Sequence, residues 1–433
     1  MIHAWILLAS LGVFILLSVP IAFSIGLSSL LIIIFDERLS TWLLVQRTFA
    51  GLDSFVLLAV PLFLLTGLVM NASGVTDKLI RFSYVLVGHI RGGLALVNIV
   101  VSMFFAGISG SSTADTAGVG SILIPAMHKK GYSKEFTVAV TASSSTMGNI
   151  IPPSIMAVIY AATTGISVGA LFLAGIVPGV LIGFSQMTLS YIYAIKYDYP
   201  SEKRVDFKEA VIAVKDALLP LGTPIIIIGG ITGGIFTATE AAVIAAVYSL
   251  ILGLFIYRTL SFKQFFEILV ETVQLSSISL FCIGIASVFG YIIAYYKVPV
   301  LIGNMLGGLS TSPTGLLITI VALFIIVGTF MDAAPAIIIL MPILYPIADQ
   351  AGIHPVHLGV VVVSTLALGL ITPPYGLCLL IASLIAEINF EKTVKTVMVF
   401  FSVMLLIVMF SVFFPDVILF IPRVLAPKLM GPM

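Results

Sequence analysis

The sequence predicts an all-α polytopic membrane protein: an inverted repeat carrying two re-entrant helical hairpins and two broken transmembrane helices. Three observations predict it. Of 433 residues, 60% are hydrophobic and only 9% are charged, where a soluble domain carries about 25% charge, and a mean hydropathy of +1.23 leaves no polar shell for a soluble core. Apolar segments of about 20 residues, long enough to cross ~30 Å of hydrocarbon, recur along the whole chain. Features of the first half return in the second. The net charge of +1 excludes the basic surface a nucleic-acid partner needs. Cys282 and Cys378 give neither a disulfide framework nor metal-ligand spacing and read as packing residues.

In chain order, the segment from Ala4 to Phe35 lacks a basic start and a small-residue cleavage site. It reads as mature membrane helix rather than a signal peptide, in two short pieces meeting near Pro20. Spans follow at 54–71, 134–162, 168–195, 217–233, 238–257, 272–296, 355–386 and 394–420. Two further regions, 94–127 and 314–348, are apolar but interrupted at their centres by polar residues. The longest polar link, Lys196 to Lys215, is too short to fold independently. Thr237-Ala-Thr-Glu240 has the spacing of a capping box, which is preferred over a proton site. The runs Asp77 to Phe82 and Arg258 to Phe266 read as interfacial amphipathic arms. His354 and His357 fall in a loop and would need further ligands to hold a metal.

Asp115 and Pro125 recur as Asp332 and Pro342, at an offset of 217. Gly131, Gly148, Pro152 and Pro153 recur as Gly352, Gly369, Pro373 and Pro374, at an offset of 221; Gly67 and Gly290 are compatible with the pairing upstream. The first interrupted segment is flanked by Arg81, Arg91, Lys129, Lys130 and Lys134, whereas no Lys or Arg lies between Val298 and Glu391. By the positive-inside rule the first opens from the cytoplasm and the second, between Gly307-Gly308-Leu309-Ser310 and Ala351-Gly352-Ile353-His354, from outside. That topology places 15 of the 20 basic residues inside, leaving Arg38, Arg47, Lys297, Arg423 and Lys428 outside. Hairpins are expected at 104–127 and 317–347, with their tips near the midplane. Arg91 and Lys129 should then lie on the cytoplasmic side, and Gly308 and Gln350 outside.

The first hairpin turns through Ser109-Gly-Ser-Ser-Thr113 to Asp115. A polar, irregular backbone at membrane depth is tolerated where protein buries it or it lines a cavity. In Thr141 to Ser154 and its partner Ser364 to Gly376, paired prolines remove donors and keep the preceding residue out of a helix. Each segment therefore unwinds near Gly148 or Gly369 and releases carbonyls. Discontinuous helices at equivalent places in two inverted halves point to a transporter's binding site. Carbonyls, hydroxyls and a carboxylate are hard oxygen ligands suited to an alkali cation, not a transition metal. The expected first site comprises Ser109, Gly110, Ser111, Ser112, Thr113, Asp115, Ser144, Ser145, Gly148, Asn149 and Pro152. The second comprises Gly328, Thr329, Asp332, Thr365, Gly369, Thr372 and Pro373. Intramembrane carboxylates are costly and usually functional, so Asp115 and Asp332 either serve the cation or cap the returning helix of their hairpin. Ser112, Ser154, Tyr375 and Lys297 are candidates for the substrate pocket, with snorkelling as the alternative for Lys297.

The run Gly107-Ile-Ser-Gly-Ser-Ser-Thr-Ala-Asp-Thr116, with Ile124-Pro-Ala-Met127 and Gly148-Asn-Ile-Ile-Pro-Pro-Ser154, resembles the large membrane subunit of TRAP (tripartite ATP-independent periplasmic) transporters. Val19 to Ser28 and Ile371-Thr-Pro-Pro-Tyr-Gly376 fit as well, and the resemblance spans essentially the whole chain. It implies the ion-transporter superfamily fold, with an elevator-type scaffold and a moving transport domain. In those terms residues 1–90 are scaffold helices and arm, 91–195 the first transport half, and 196–310 the second-repeat scaffold and arm. Residues 311–392 are then the second transport half and 393–433 the C-terminal helix. The resemblance also implies sodium-coupled import of an organic acid such as a C4-dicarboxylate or sialic acid, with sodium in the two sites and no other cofactor. A small four-helix membrane subunit, expected as a separate chain, and a periplasmic binding protein are the implied partners, in a bacterial inner membrane. The repeat departs from symmetry where Asn149 is matched by Leu370, and Gly110-Ser111-Ser112 by Val327-Gly328-Thr329.

Three other readings are separable. An intramembrane aspartyl protease would look for Gly-x-Gly-Asp, whereas the contexts are Thr113-Ala-Asp115 and Phe330-Met-Asp332, so no enzyme is expected. Paired broken helices favour alternating access over a passive channel. A stand-alone dicarboxylate/sodium symporter of the same superfamily is the nearest alternative.

Overall fold

A computed structural model describes residues 2–301 and 312–430, and those residues are helical with no strand among them. The stretch around Gly307-Gly308-Leu309-Ser310, with the expected outward position of Gly308, lies outside the described residues. The chain opens with α1 (Ile2–Leu16) and α2 (Ile21–Phe35), divided as expected before Pro20. It continues with α3 (Trp42–Leu52), α4 (Ala59–Ala72) and the amphipathic α5 (Val75–Val87). Next come α6 (Gly93–Ser109) and α7 (Ser112–Lys129), then α8 (Lys134–Ser145), a 3-10 turn over Thr146–Asn149, α9 (Ile155–Thr164) and α10 (Val168–Lys196). α11 (Phe207–Thr232), α12 (Ala238–Ile251) and the long α13 (Phe262–Tyr295) lead into the second half. There α14 (Pro313–Gly328), α15 (Ala333–Gln350), α16 (Pro355–Gly369), α17 (Leu377–Ile385) and α18 (Phe390–Phe413) precede α19 (Pro415–Leu425).

Among the described residues, seven helical stretches are long and apolar enough to cross a membrane. Local chemistry sets their ends. Thr237 accepts from the Glu240 backbone N–H while the Glu240 carboxylate accepts from the Thr237 N–H at 2.7 Å, so Glu240 completes the expected capping box of α12. Ser261 and Gln264 do the same for α13. That helix runs without a break from the second amphipathic arm into the membrane, where an arm and a separate span were expected. His354 accepts from the Val356 N–H at 3.2 Å and caps α16. His357 lies inside α16, not in a loop, and its Nε2 meets the Ser411 carbonyl at 2.7 Å.

The structure corrects the register of the repeat. Both α7 and α15 are 18 residues long, both end before a left-handed glycine (Gly131 and Gly352), and α8 and α16 begin in step after them. A single offset of 221 therefore holds from the hairpin tips to the broken helices. Under it Ser111 corresponds to Asp332, Pro125 to Pro346, and Gly107 to Gly328, while Asp115 corresponds to Ala336. The offset of 217, with its pairing of Asp115 to Asp332 and of Gly110-Ser111-Ser112 to Val327-Gly328-Thr329, does not survive. It rested on residue identity at two positions inside the hairpins, and helix phase overrides it because one turn shifts a side chain to the next level of the same face.

The two halves brace one another. α9 packs on α15, α17 packs on α7 and α8, and α18 packs on α8, α10 and α16. Outside this block, α3, α4 and α2 pack along α13, and α12 packs on α4. Both Pro152–Pro153 and Pro373–Pro374 are cis.

Candidate cation and substrate site

Each hairpin tip meets the broken helix of its own half. Gly110 takes φ +63° between α6 and α7, where a side chain would strain the backbone, and a Cβ there would lie 2.6 Å from the Pro153 carbonyl. That carbonyl oxygen therefore sits directly on the tip. The Gly110 carbonyl in turn accepts from the Ile155 N–H at 3.3 Å. Ser112 donates its hydroxyl to the Thr146 carbonyl at 3.2 Å, and its N–H donates to the Asn149 side-chain oxygen at 3.3 Å. A Cβ at Gly148 would meet Ser112 N at 2.8 Å. Ser109, Gly110, Ser111, Ser112, Gly148, Asn149 and Pro152 thus gather at one junction, with Thr113 held by its hydroxyl contact to Ser111.

The second junction is barer. Gly328 and Gly369 face each other with no side chain between them: a Cβ at Gly369 would stand 2.8 Å from the Gly328 Cα. The Thr329 carbonyl accepts from the Tyr375 N–H at 3.2 Å. The hydroxyls of Thr365 and Thr372 donate to carbonyls of their own turns, at 2.6 and 2.7 Å. Pro373 follows at the break.

The two aspartates are not equivalent. Asp332 is the N-cap of α15 and accepts from the Ala333 N–H at 2.8 Å. In the first half Ser111 does that work, accepting from Ala114 N–H at 3.4 Å. Asp115 lies one turn deeper, is 0% exposed, and neither carboxylate oxygen has a hydrogen-bond partner. Capping therefore describes Asp332 and not Asp115. Around Asp115 stand the hydroxyls of Ser102 and Ser145. Ser102 is bonded to Ser144 at 3.1 Å, Ser144 reaches the Asn98 side-chain oxygen at 3.4 Å, and Asn98 donates to Thr141 at 2.7 Å. Asn98 and Ser102 escaped the sequence reading, although their four-residue spacing on an otherwise apolar helix puts both on one face. At the offset of 221 the counterparts of Ser102, Thr141 and Ser145 are Leu323, Val362 and Leu366, and those of Asn98 and Ser144 are Thr319 and Thr365, so the two serine hydroxyls nearest Asp115 have no counterpart in the second half.

An orphaned, fully buried carboxylate beside two serine hydroxyls fits a hard monovalent cation. Oxygen ligands suit such an ion, and a buried carboxylate needs a counter-charge or a proton. Asp115, Ser102, Ser145 and the carbonyls at the nearby tip are the groups that would hold it. In the second half, the oxygens near the junction are the Asp332 carboxylate, backbone carbonyls and the hydroxyls of Thr329, Thr365 and Thr372.

A cavity of about 420 Å³ opens beside the second tip, lined among others by Pro20, Phe23, Cys282, Phe330, Asp332 and Tyr375. Of the four residues expected in a substrate pocket, Tyr375 alone lines it. Ser112 is committed to Thr146, and Ser154 caps α9 while donating to the Asn149 carbonyl. Lys297 stands exposed just past the end of α13, next to Tyr296, which bonds Asp36 at the far end of α2 from Pro20. The 15 residues of α2 separate it from the cavity by about 20 Å. Arg38 chelates Asp36 at 2.7–2.8 Å there and holds its carboxyl well below the usual carboxylate range.

Comparison with known proteins agrees with this architecture. The family described as "Tripartite ATP-independent periplasmic transporter, DctM component" matches residues 8–417. The C4-dicarboxylate TRAP transporter large permease protein of Pseudomonas aeruginosa is 39% identical over 92% of this chain and 94% of its own. The sialic acid TRAP transporter large permease protein of Vibrio cholerae is 37% identical over 93% and 95%. Among solved structures, the YdaH transporter of Alcanivorax borkumensis superposes with a TM-score of 0.62 at 15% identity, covering 90% of this chain and 89% of that one, a likeness of fold. The chain belongs to the DctM component family of TRAP transporters, as a multi-pass membrane permease and not an enzyme.

Proposed function

We propose that this permease is a sodium-coupled secondary importer of a small organic acid, a carboxylate of the C4-dicarboxylate or sialic acid kind, received from a periplasmic binding protein. A small four-helix membrane subunit is its second partner. The observation that carries the coupling is the unpartnered Asp115 carboxylate beside the hydroxyls of Ser102 and Ser145, one turn from a hairpin tip that touches a broken helix. A cation bound there would join elements distant in sequence, α6, α7 and α8, and order the tip against the break. The same logic at Gly328, Thr329, Asp332, Gly369 and Pro373 would order the second tip beside the cavity that Tyr375 lines. Substrate and sodium then stabilise one state, and each raises the other's affinity by the same factor.

The mutual bracing of α6–α9 with α14–α17 supports their movement as one elevator body, over residues 91–195 and 311–392. Residues 1–90 and 196–310 would form the scaffold. On this reading α6–α7 and α14–α15 are re-entrant, so cysteine labels at Arg91 and Lys129 should react from the same, cytoplasmic side, and one at Gln350 from outside. Labelling of Arg91 and Lys129 from opposite sides would refute re-entry.

Reconstitution tests the function. The permease in liposomes with the small subunit and cognate binding protein should take up substrate when an inward sodium gradient is imposed. Omitting the binding protein should remove at least about 90% of uptake, because capture and delivery then fail; saturable uptake by the permease alone would favour the stand-alone symporter. Uptake driven by a proton gradient and indifferent to sodium would defeat the cation assignment.

A further inference from the structure

Away from both junctions, a cavity of about 180 Å³ lies between α5, the 197–206 link and the start of α11, lined by Arg81, Tyr84, Val85, Val205, Glu209, Ile212, Ala213 and Asp216. Its charges are of both signs, yet none of Arg81, Glu209 and Asp216 forms an ion pair with any described residue. Nearby charges on the same link do pair: Lys130 with Glu202 at 2.8 Å and Arg91 with Asp198 at 3.7 Å. One guanidinium and two carboxylates therefore face a shared space without closing on one another. The Lys78 ammonium lies 4.2 Å from the centre of the Tyr257 ring. Burial and the charge of Glu202 push the Tyr84 phenol up to about 12, so its hydroxyl stays a donor at neutral pH. On the cavity-lining face of α11, Ile212 and Leu219 are exposed, the composition of a surface at the edge of the hydrocarbon.

We propose that this cavity binds the headgroup of an ethanolamine phospholipid, with the phosphate on Arg81, the ammonium between Glu209 and Asp216, and the acyl chains along Ile212 and Leu219. The match is one of donor count and sign. A planar guanidinium binds phosphate oxygens with two parallel N–H donors. A primary ammonium has three N–H donors, enough for both carboxylates, whereas a choline headgroup has none and prefers aromatic faces. A glycerol headgroup would leave both carboxylates facing a phosphate with no cation between them. Free phosphate would meet the same repulsion and lose the apolar contacts. The site couples α5 to the link and α11, and it stands whether or not the transport reading does.

The test uses the full chain in detergent, titrated with ethanolamine, choline and glycerol phospholipids of identical acyl chains and followed by native mass spectrometry. The ethanolamine lipid should bind about tenfold more tightly than the other two, a difference of one decade in Kd. The double variant Glu209→Gln/Asp216→Asn should bind all three alike, and Arg81→Gln should weaken all of them. Arg81 and Glu209 are exposed and Asp216 is half-buried, so thermal unfolding without lipid checks that the variants keep the fold; the wild-type lipid comparison needs no variant at all. Equal affinity of the wild-type chain for the three lipids would overturn the proposal. So would displacement of the ethanolamine lipid by millimolar inorganic phosphate, or an undiminished preference in the double variant.

Discussion

Asp115→Asn should raise the sodium concentration needed for half-maximal uptake by about 100-fold, since losing a charged ligand to a buried ion costs on the order of 3 kcal/mol. The amide keeps the shape of the side chain and removes only the charge. Because the carboxylate is fully buried with no hydrogen-bond partner, its neutralisation relieves a desolvation cost. The variant should therefore be at least as abundant and as thermally stable as the parent. Ser102→Ala and Ser145→Ala should shift sodium dependence in the same direction by smaller factors, as each removes one neutral oxygen. Asp332→Asn also weakens sodium dependence but preserves the N-cap, because asparagine caps as well as aspartate; Asp332→Ala should lose about 1 kcal/mol of stability in addition. Unchanged sodium dependence in Asp115→Asn, measured in the three-component liposomes, would remove Asp115 from the coupling site.

Gly369→Ala should abolish most uptake. The new methyl would stand 2.8 Å from the Gly328 Cα and 2.9 Å from the Gly328 carbonyl oxygen, and backbone on both sides gives it nowhere to go. The tip of α14–α15 must then lift off the break in α16, or the helix must shift, at a cost of about 1–3 kcal/mol for an overpacked contact. Gly148→Ala should behave alike at the first junction, where the methyl meets Ser112 N at 2.8 Å. The control is Gly229→Ala in α11, where a Cβ has nothing within 4 Å and uptake should stay within about twofold, as expected for a change away from packed contacts. Equal tolerance at Gly369 and Gly229 would show that close tip–break contact is not used in the cycle.

The distinction between those glycines was invisible in the sequence, which carries 37 of them. Gly148 and Gly369 stood out beside paired prolines, and Gly328 was grouped with Gly369 in one expected cation site, but not as a bare backbone contact against it. Its role as the surface against which Gly369 closes depends on two chain segments some forty residues apart. The aspartates show the same limit more sharply. Both were singled out as carboxylates next to hairpin turns, and their likeness suggested a matched pair. Helix phase separates them: Asp332 begins its helix and Asp115 lies one turn in, so one oxygen set faces a backbone N–H and the other faces Ser102 and Ser145.

By itself the sequence determined membrane residence, the helical class, the presence of a repeat, the places where helices must break, and the side-chain chemistry available at them. Those properties follow from hydropathy over tens of residues and from what proline and glycine forbid or permit locally, and neither depends on distant contacts. Only the tertiary structure decided the register of the repeat, the separation of Lys297 from the cavity, the membership of Asn98 and Ser102 in the Asp115 nest, and the facing of unpaired charges between α5 and α11. Each of these depends on which residues from remote segments come within a few ångströms. That is set by the packing of whole helices, because a shift of one residue in phase rotates a side chain by about 100° and moves it to another neighbour.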